Sequence, residues 1–236
     1  MAISERPDTT ADFIPSPYVG QRMTLEEFLA LPEEKPALEY ADGVVIQKMA
    51  PTPDHIELQA IIRAAFNTVA EPQELGRTFA DIRFQIAGLA QVPDVGFYRL
   101  DRLQILPGPR YAPNQGVPDI SIEIVSPGQS VTSLIRKCQQ YLALGSQIAL
   151  IVDPDDESVL AFRSGQPIRV LQGDDRIDVD ELLPGLTLTV KAMFEAIVPV
   201  WVARHALSRE SIADDQTSTG GGQAEDEAGA SERSEG

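Results

Sequence analysis

VPDV at residues 92–95 and PDISIEIV at residues 118–125 decide the fold of this chain, because each leads from a Pro-Asp pair into apolar residues. Short apolar runs that are rich in branched residues predict buried strands. The second run carries Glu123 among isoleucines and valines. A carboxylate in such a strand costs free energy unless it has a cationic partner or binds a metal ion. Glu123 therefore marks a candidate site.

Strand alternation predicts which carboxylate lies beside Glu123. Asp94 and Gly96 share one face of the first strand, and Ser121 and Glu123 share one face of the second. If the strands are neighbours, the carboxylates of Asp94 and Glu123 lie side by side. Such a pair repels, and one pKa rises unless a divalent cation sits between the two groups. Hard oxygen ligands of this kind suit Mg²⁺ or Mn²⁺. Lys137, on the helix that follows, can point its ammonium group at the same spot.

The order of the predicted elements indicates the fold class. The core runs helix, strand, strand, strand, helix, strand, which predicts an α/β (α+β) domain with a mixed central sheet flanked by helices. Residues 120–152 form a strand-helix-strand unit, for which we expect a parallel, right-handed crossover. The predicted helices are 24–31, one opening at 53, 130–144 and 191–202, and the predicted strands are 38–40, 44–48, 78–87, 91–99, 118–125, 147–152, 158–163, 168–171 and 186–190.

Composition limits the classes of function. The formal net charge of the 236 residues is −17, which argues against a broad basic surface for nucleic acid. Residues 207–236 hold eight acidic residues and two arginines, so they carry six of those negative charges and the rest of the chain carries eleven. A polyanionic substrate would need local basic residues or bridging cations.

Composition also predicts the domain boundaries and the location of the protein. We expect a loose N-terminal arm at residues 1–20, one folded domain at 21–205 and a disordered acidic tail at 206–236. No apolar run is long enough for a membrane helix, and the first residues do not resemble a secretory signal. The single cysteine, Cys138, allows no internal disulfide. These features favour a cytoplasmic protein without membrane association.

Several segments together resemble the Uma-two family of restriction-endonuclease-like proteins, within the PD-(D/E)XK nuclease superfamily. The resemblance covers roughly residues 23–195. The segments are LEYADG (38–43), MAP (49–51) followed by His55, VPDV (92–95), PDISIEIVSP (118–127), Lys137 with Tyr141 and Gly145, and IVDP (151–154).

The resemblance implies a restriction-endonuclease-like core and a set of site residues. It makes Asp94 and Glu123 the metal ligands and Lys137 the catalytic lysine. The commonest form of the superfamily has its lysine two residues after the Glu, where this chain has Val125. The Uma-two family supplies the lysine from the next helix instead, which matches Lys137.

Two further residues match recurrent positions of the family, and two segments depart from its pattern. Glu39 and His55 are the matches, and the resemblance assigns them no role. This chain has IAL at residues 148–150 where the family often has an aromatic pair. It also has Gln91-Val92 where a basic residue commonly precedes Pro-Asp, which reduces the positive charge expected beside the site.

The acidic candidates also have structural interpretations. Asp94 follows a proline and could simply begin a strand or close a turn. Asp119 follows a proline too, and alternation places it on the face of Glu123, which makes it the rival metal ligand; otherwise it is a loop residue. Glu123 could instead form a buried pair with an arginine. Glu39 could pair with a lysine across its hairpin rather than belong to the site.

The remaining candidates have equally ordinary alternatives. His55 lies near the start of a helix, where it could cap or pack instead of acting at the site. Lys137 taken alone would be a solvated helix lysine, and only the resemblance favours a catalytic role. Tyr141, one turn further on, is expected to pack at the edge of the core.

Taken together, these patterns predict an endonuclease that uses Mg²⁺ or Mn²⁺ to hydrolyse phosphodiester bonds of nucleic acid, most simply DNA. Cleavage of both strands of a duplex would favour a homodimer with two-fold symmetry. The alternative is a nuclease-fold protein that works as a binding or regulatory module with little turnover. The net charge favours the alternative, and the intact Asp94, Glu123 and Lys137 set favours the enzyme.

The acidic tail should be dispensable for folding. Residues 207–236 lack apolar periodicity and are rich in Gly, Ser and Glu, so they have little apolar surface to bury. A protein that ends near Ala206 should keep the melting temperature of the full chain in a calorimetric scan. A drop of many degrees would show that the tail packs on the domain.

Overall fold

The structure is a computed structural model that describes residues 14–108, 110–113 and 116–198. The predicted acidic tail, most of the predicted arm (1–13) and the end of the predicted last helix lie outside these residues. In chain order the elements are α1 (Leu25–Leu29), β1 (Leu38–Ala41), β2 (Val44–Gln47), α2 (Pro53–Ala70), β3 (Gly76–Ala80), β4 (Phe84–Ile86), β5 (Leu89–Gln91), β6 (Val95–Arg99), a 3-10 turn (Leu100–Arg102), β7 (Leu103–Leu106), β8 (Arg110–Pro113), β9 (Ile120–Ile124), α3 (Val131–Ala143), β10 (Ile148–Asp153), β11 (Ser158–Arg163), β12 (Arg169–Gln172) and α4 (Val190–Glu195).

A six-stranded mixed sheet forms the centre of the domain, in the order β12-β11-β10-β9-β6-β3. Strands β9 and β10 pair in parallel, and all other neighbours in this sheet are antiparallel. Both β9 and β10 are almost entirely buried, as expected for strands with helices on both faces. The predicted fold class, a mixed sheet flanked by helices, is confirmed, as is the parallel pairing across α3.

The two faces of the central sheet have different cores. Helix α2 covers one face with an apolar stripe at helical spacing, which includes Leu58, Ile62 and Phe66. The even-numbered residues of β9 pack into this core together with Val95 and Phe97. Helix α3 covers the other face with Leu134 and Cys138. Because side chains alternate along a strand, Asp94 and Glu123 belong to the face that α3 covers.

A second sheet of four strands, in the order β2-β1-β5-β4, lies under α1. Helix α1 lies within the predicted helix 24–31 and begins with a capping box: the Thr24 hydroxyl accepts from the Glu27 backbone N–H, and Glu27 Oε2 accepts from the Thr24 N–H at 2.7 Å. The predicted β1–β2 hairpin is also present, and its turn residues Asp42 and Gly43 both have positive φ, as a tight hairpin turn requires. Residues 14–20, assigned to the arm from sequence, contact β2 through Gly20 N and Val45 O at 2.8 Å.

Two predicted strands are each divided between the two sheets. The strand predicted at 78–87 is β3 in the central sheet and β4 in the second sheet, with Asp81 at φ 51° between them. The strand predicted at 91–99 divides into β5 and β6 around Pro93, which cannot donate to a ladder. Alternation alone does not show where a strand leaves one sheet for another, so the prediction of two continuous strands is wrong.

Two other regions differ from the predicted elements. The strand predicted at 186–190 is absent apart from a single bridge between Arg176 and Thr189, because Thr189 caps α4, which begins at Val190. The β7–β8 hairpin was not predicted. Among the described residues, no helix is both long and apolar enough to cross a bilayer.

Close packing between Gly96 of β6 and Pro118, which precedes β9, fixes the register of these strands. Val95 lies opposite Ile122 and Gly96 opposite Ser121, so Asp94 follows in line with Glu123. Gly96 has no space for a side chain, because a Cβ there would lie 2.7 Å from Cγ and 3.1 Å from Cβ of Pro118. The absence of a side chain at Gly96 therefore allows Pro118 to pack against β6.

We expect Gly96→Ala to destabilise the domain by about 1–3 kcal/mol, the usual cost of overpacking a tight core. Chemical denaturation monitored by circular dichroism measures the change. In the double variant Gly96→Ala/Pro118→Ala the closest clashing atom, Cγ of Pro118, is gone, so the total loss should be smaller than the sum of the two single losses. Additive losses would show that Gly96 and Pro118 do not compete for the same space.

Candidate active site

Asp94 and Glu123 lie side by side in the interior, at the junction of β6 and β9. Each side chain is only 2% exposed. Asp94 Oδ2 accepts a hydrogen bond from the backbone N–H of Ile124 at 2.6 Å, which fixes the Asp94 carboxylate against β9 next to Glu123. The structure thus brings together the two carboxylates that strand alternation paired.

Lys48 and His55 surround Asp94 from the second sheet and from α2. Lys48 follows β2 and donates from Nζ to Asp94 Oδ1 and, at 2.8 Å, to the carbonyl oxygen of Val92. His55 Nε2 lies 3.2 Å from the same Asp94 oxygen, and its Nδ1 lies 3.3 Å from Ser126 Oγ. His55 is in the first turn of α2, where the Thr52 cap and Pro53 begin the helix.

Lys137 and Tyr141 reach Glu123 from α3. Lys137 Nζ lies 2.8 Å from Glu39 Oε1 and 3.1 Å from Glu123 Oε1. Tyr141, one helical turn further on, donates its hydroxyl to Glu123 Oε1 at 2.5 Å. Glu39 comes from β1 and also accepts from the Val92 N–H at 2.7 Å. Each carboxylate of the pair therefore forms an ion pair with a lysine, Asp94 with Lys48 and Glu123 with Lys137.

Burial and charge act differently on the two carboxylates. Burial alone would raise the pKa of Asp94, but Lys48 and His55 hold that pKa well below its usual range. Burial raises the pKa of Glu123, because Lys137 and Lys48 offset the loss of solvation only in part while Asp94 repels a second negative charge. Asp94 is therefore ionised at neutral pH, and Glu123 is the carboxyl of the pair that takes up a proton first.

Both lysines keep their protons. Burial would lower the pKa of Lys137, but the negative charges of Glu123 and Glu39 raise it above its ordinary value. Burial likewise acts against the charge of Lys48, and Asp94 and Glu123 raise its pKa overall. The site therefore contains two protonated ammonium groups rather than two potential bases.

Contacts in the structure bear on the structural interpretations of four site residues, namely Glu39, Lys137, His55 and Tyr141. Glu39 pairs with the helix lysine Lys137 and not with a lysine across its hairpin, and Lys137 is only 13% exposed. His55 contacts Asp94. Tyr141 does pack in the core, but its hydroxyl also binds Glu123, which the expected role as a core-edge packer did not include.

Asp119, the rival metal ligand, lies elsewhere. It is paired with Arg99 at 3.4 Å and Arg102 at 3.1 Å, and its Oδ2 accepts from the Arg99 N–H. Asp119 and Glu123 share a face of β9, but four residues of extended strand place them about 13 Å apart along the strand. Alternation gives the face of a side chain and not its distance along the strand.

Lys48 is the site residue that sequence reasoning missed. It was assigned only to the end of a hairpin strand. The Lys48 N–H donates to the carbonyl oxygen of Ala37, two residues before Glu39. A comparison of the two hairpin strands would therefore have placed Lys48 near Glu39. Its contact with Asp94 spans 46 residues of sequence and depends on how the second sheet meets the central one.

The donor set is compatible with Mg²⁺ or Mn²⁺ bound in part by substrate. Within residues 14–108, 110–113 and 116–198, no three His, Cys, Asp or Glu side chains cluster closely enough to hold a metal ion. Mg²⁺ usually takes only one or two protein carboxylates and completes its shell with water and phosphate oxygens. The adjacent carboxylates of Asp94 and Glu123 fit that requirement, whereas a closed protein cage for zinc would not be satisfied.

One solved structure and one family model that match the chain are described as nucleases. The crystal structure of a putative nuclease belonging to DUF820, from Anabaena variabilis ATCC 29413, is 32% identical to this chain and matches it with a TM-score of 0.70. The match covers 75% of this chain and 99% of that one. No curated protein matches the chain. Residues 25–191 match the model of the Uma2 family, described as putative restriction endonuclease. The resemblance seen in the sequence is thus confirmed, and the chain belongs to the Uma2 family of putative restriction endonucleases.

Proposed function

We propose that the chain is a metal-dependent endonuclease that hydrolyses phosphodiester bonds of nucleic acid, with water as the nucleophile. The observation that carries this proposal is the buried pair of Asp94 and Glu123, with Lys137 bonded to Glu123, in a chain of a nuclease family. A carboxylate pair of this kind has no evident structural use, because a hydrophobic pair would fill the same space at lower cost.

Asp94 and Glu123 would hold the divalent cation. Bound Mg²⁺ or Mn²⁺ would supply Lewis-acid chemistry, lowering the pKa of a water molecule and neutralising charge that develops on the phosphoryl oxygens. Asp94 is suited to this role because it is ionised, and the Ile124 N–H holds it in place. Glu123 must give up any proton it holds before it can act as a ligand, so cation binding should weaken at acidic pH.

Lys137 would stabilise the transition state. Its pKa is raised, so it cannot serve as the general base at neutral pH. Its ammonium group is instead a fixed positive charge beside Glu123, held there by Glu39. A preorganised charge in a water-poor site stabilises the negative charge of a phosphoryl transition state more strongly than the same charge does in water.

Glu39 and His55 would act as positioning residues. Glu39 connects Lys137 to the Val92 N–H, and so ties α3 to the segment that leads into Asp94. His55 lies between Asp94 and Ser126 and limits the rotation of the Asp94 carboxylate. We do not propose Asp119 as a ligand, because its arginine partners lie at the other end of β9.

DNA is the substrate we propose, with cleavage by a homodimer if both strands are cut. The alternative is a nuclease-fold binding or regulatory module with little turnover. Two observations favour the alternative: both carboxylates are already paired with lysines, and the chain has a net charge of −17. A turnover assay decides between them.

We expect Lys137→Ala to lower the rate of DNA cleavage by about 10²–10³-fold, because it removes a charge aimed at the transition state. Its affinity for Mn²⁺ should not fall, since an ammonium group is no metal ligand. Glu123→Gln should lose Mn²⁺ affinity and cleavage together, because it keeps the shape of the side chain but removes a ligand charge. Plasmid cleavage and calorimetric Mn²⁺ titration measure the two quantities.

Lys191→Ala provides the matched control, because Lys191 is an exposed lysine that pairs with Glu195 on its own helix at 3.9 Å. It should cleave and bind Mn²⁺ like the unmodified chain. If Lys137→Ala cleaves as fast as Lys191→Ala, the catalytic role of the helix lysine is wrong. If the unmodified chain binds Mn²⁺ but cleaves neither DNA nor RNA, the binding module is the better description.

A further inference from the structure

Lys48 lies in a set of oxygen atoms that resembles the shell of a metal ion. Its ammonium nitrogen contacts Asp94 Oδ1, lies 2.8 Å from the carbonyl oxygen of Val92 and 3.8 Å from Asp81 Oδ1. Carboxylate and backbone carbonyl oxygens are the ligands that hard divalent cations take. The side chain of Lys48 is only 13% exposed, so this arrangement is part of the interior and not a surface contact.

A divalent cation that binds Asp94 Oδ1 has to displace one of the two groups that already contact this oxygen. Oδ2 accepts from the Ile124 N–H at 2.6 Å, and Oδ1 contacts both Lys48 and His55. The Ile124 N–H belongs to a central strand and cannot withdraw. His55 is buried and also contacts Ser126. Lys48 is the partner that can leave, because its long side chain has several rotatable bonds and follows the end of a strand.

We propose that Lys48 is a built-in counter-ion, which occupies the cation position of Asp94 in the metal-free protein and withdraws when a divalent cation binds. This inference rests on the proposed metal site. It gives Lys48 a role distinct from that of Lys137, which contacts Glu39 and Glu123 and can stay in place.

The charges of the site agree with an exchange of this kind. When fully ionised, the three carboxyl groups of Glu39, Asp94 and Glu123 and the two ammonium groups leave one negative charge. Replacing the Lys48 ammonium group with a divalent cation brings the count to zero. Keeping both cations would place like charges a few Å apart in a region where water screens them poorly.

Asp81 is a second carboxylate to which the displaced Lys48 ammonium group would bind. Its side chain is 37% exposed, and its carboxylate is already 3.8 Å from Lys48 Nζ. Gln59 contacts both Asp81 Oδ1, at 3.4 Å, and the Asp94 carbonyl, at 3.1 Å, so Asp81 borders the site. A rotation of the Lys48 side chain from Asp94 toward Asp81 would exchange one carboxylate partner for another and move the charge toward solvent.

The first test is the Mn²⁺ affinity of Lys48→Met, measured by calorimetry against Lys191→Met. Both variants lose one positive charge, but only Lys48→Met removes the competitor. We expect Lys48→Met to bind Mn²⁺ about tenfold tighter or more than Lys191→Met does. Its melting temperature should be lower than that of the unmodified chain without metal, because Asp94 loses a buried partner, and Mn²⁺ should restore it. If Lys48 only supported the fold, its replacement by Met would not tighten Mn²⁺ binding.

A second measurement uses the unmodified chain and does not depend on a variant that must fold. Reductive methylation with mass spectrometry reports how accessible each lysine amine is. With saturating Mn²⁺, the rate at Lys48 should rise several-fold, whereas Lys191 should keep its rate. An unchanged rate at Lys48 in the Mn²⁺-bound protein would overturn the proposal.

The outcomes separate this inference from the proposed function. If Mn²⁺ binds the unmodified chain and Lys48→Met equally well, the counter-ion role is wrong and the metal site stands. If Mn²⁺ binds Lys48→Met but barely binds the unmodified chain, the counter-ion role is supported. If Mn²⁺ binds neither protein, both the metal site and the role of Lys48 are wrong.

Discussion

The antiparallel pairing of β6 with β9 brings two carboxylates together where both are buried, and the surrounding structure compensates for their charge. The register that sets Val95 opposite Ile122 brings Asp94 into line with Glu123. A buried charge that loses its partner typically destabilises a protein by about 3–5 kcal/mol. The fold therefore has to supply cations and hydrogen-bond donors at this point, and it does so from several elements that are distant in sequence.

Three of these elements converge on the carboxylate pair. The second sheet provides Lys48 and Glu39, the start of α2 provides His55, and α3 provides Lys137 with Tyr141. The contacts join residues up to 98 positions apart in sequence, as between Glu39 and Lys137. An arrangement in which so many elements contribute side chains to one buried cluster of charges is typical of a functional site, because a purely structural core would use apolar side chains there.

Sequence alone predicted the parts of this account that depend on local periodicity. Alternation paired Asp94 with Glu123 because Glu123 lies in β9 and Asp94 directly precedes β6, and it failed for Asp119 because it does not measure distance along a strand. Lys137 was identified only through the family resemblance, since nothing local distinguishes it from a solvated lysine. The role of Lys48 and the division of two predicted strands were missed for the same reason. The position of Lys48 and the ends of those strands depend on the second sheet, and tertiary packing sets how that sheet contacts the central one.

The most direct test of the account is an anomalous difference map from a crystal soaked in Mn²⁺. We expect a single strong peak within about 2.0–2.6 Å of carboxylate oxygens of both Asp94 and Glu123, the range for oxygen ligands of hard divalent cations. Lys48 Nζ should have left Asp94, and Lys137 should remain beside Glu39. A map with no peak at this pair in Mn²⁺-saturated crystals, with Lys48 still bound to Asp94, would contradict the account.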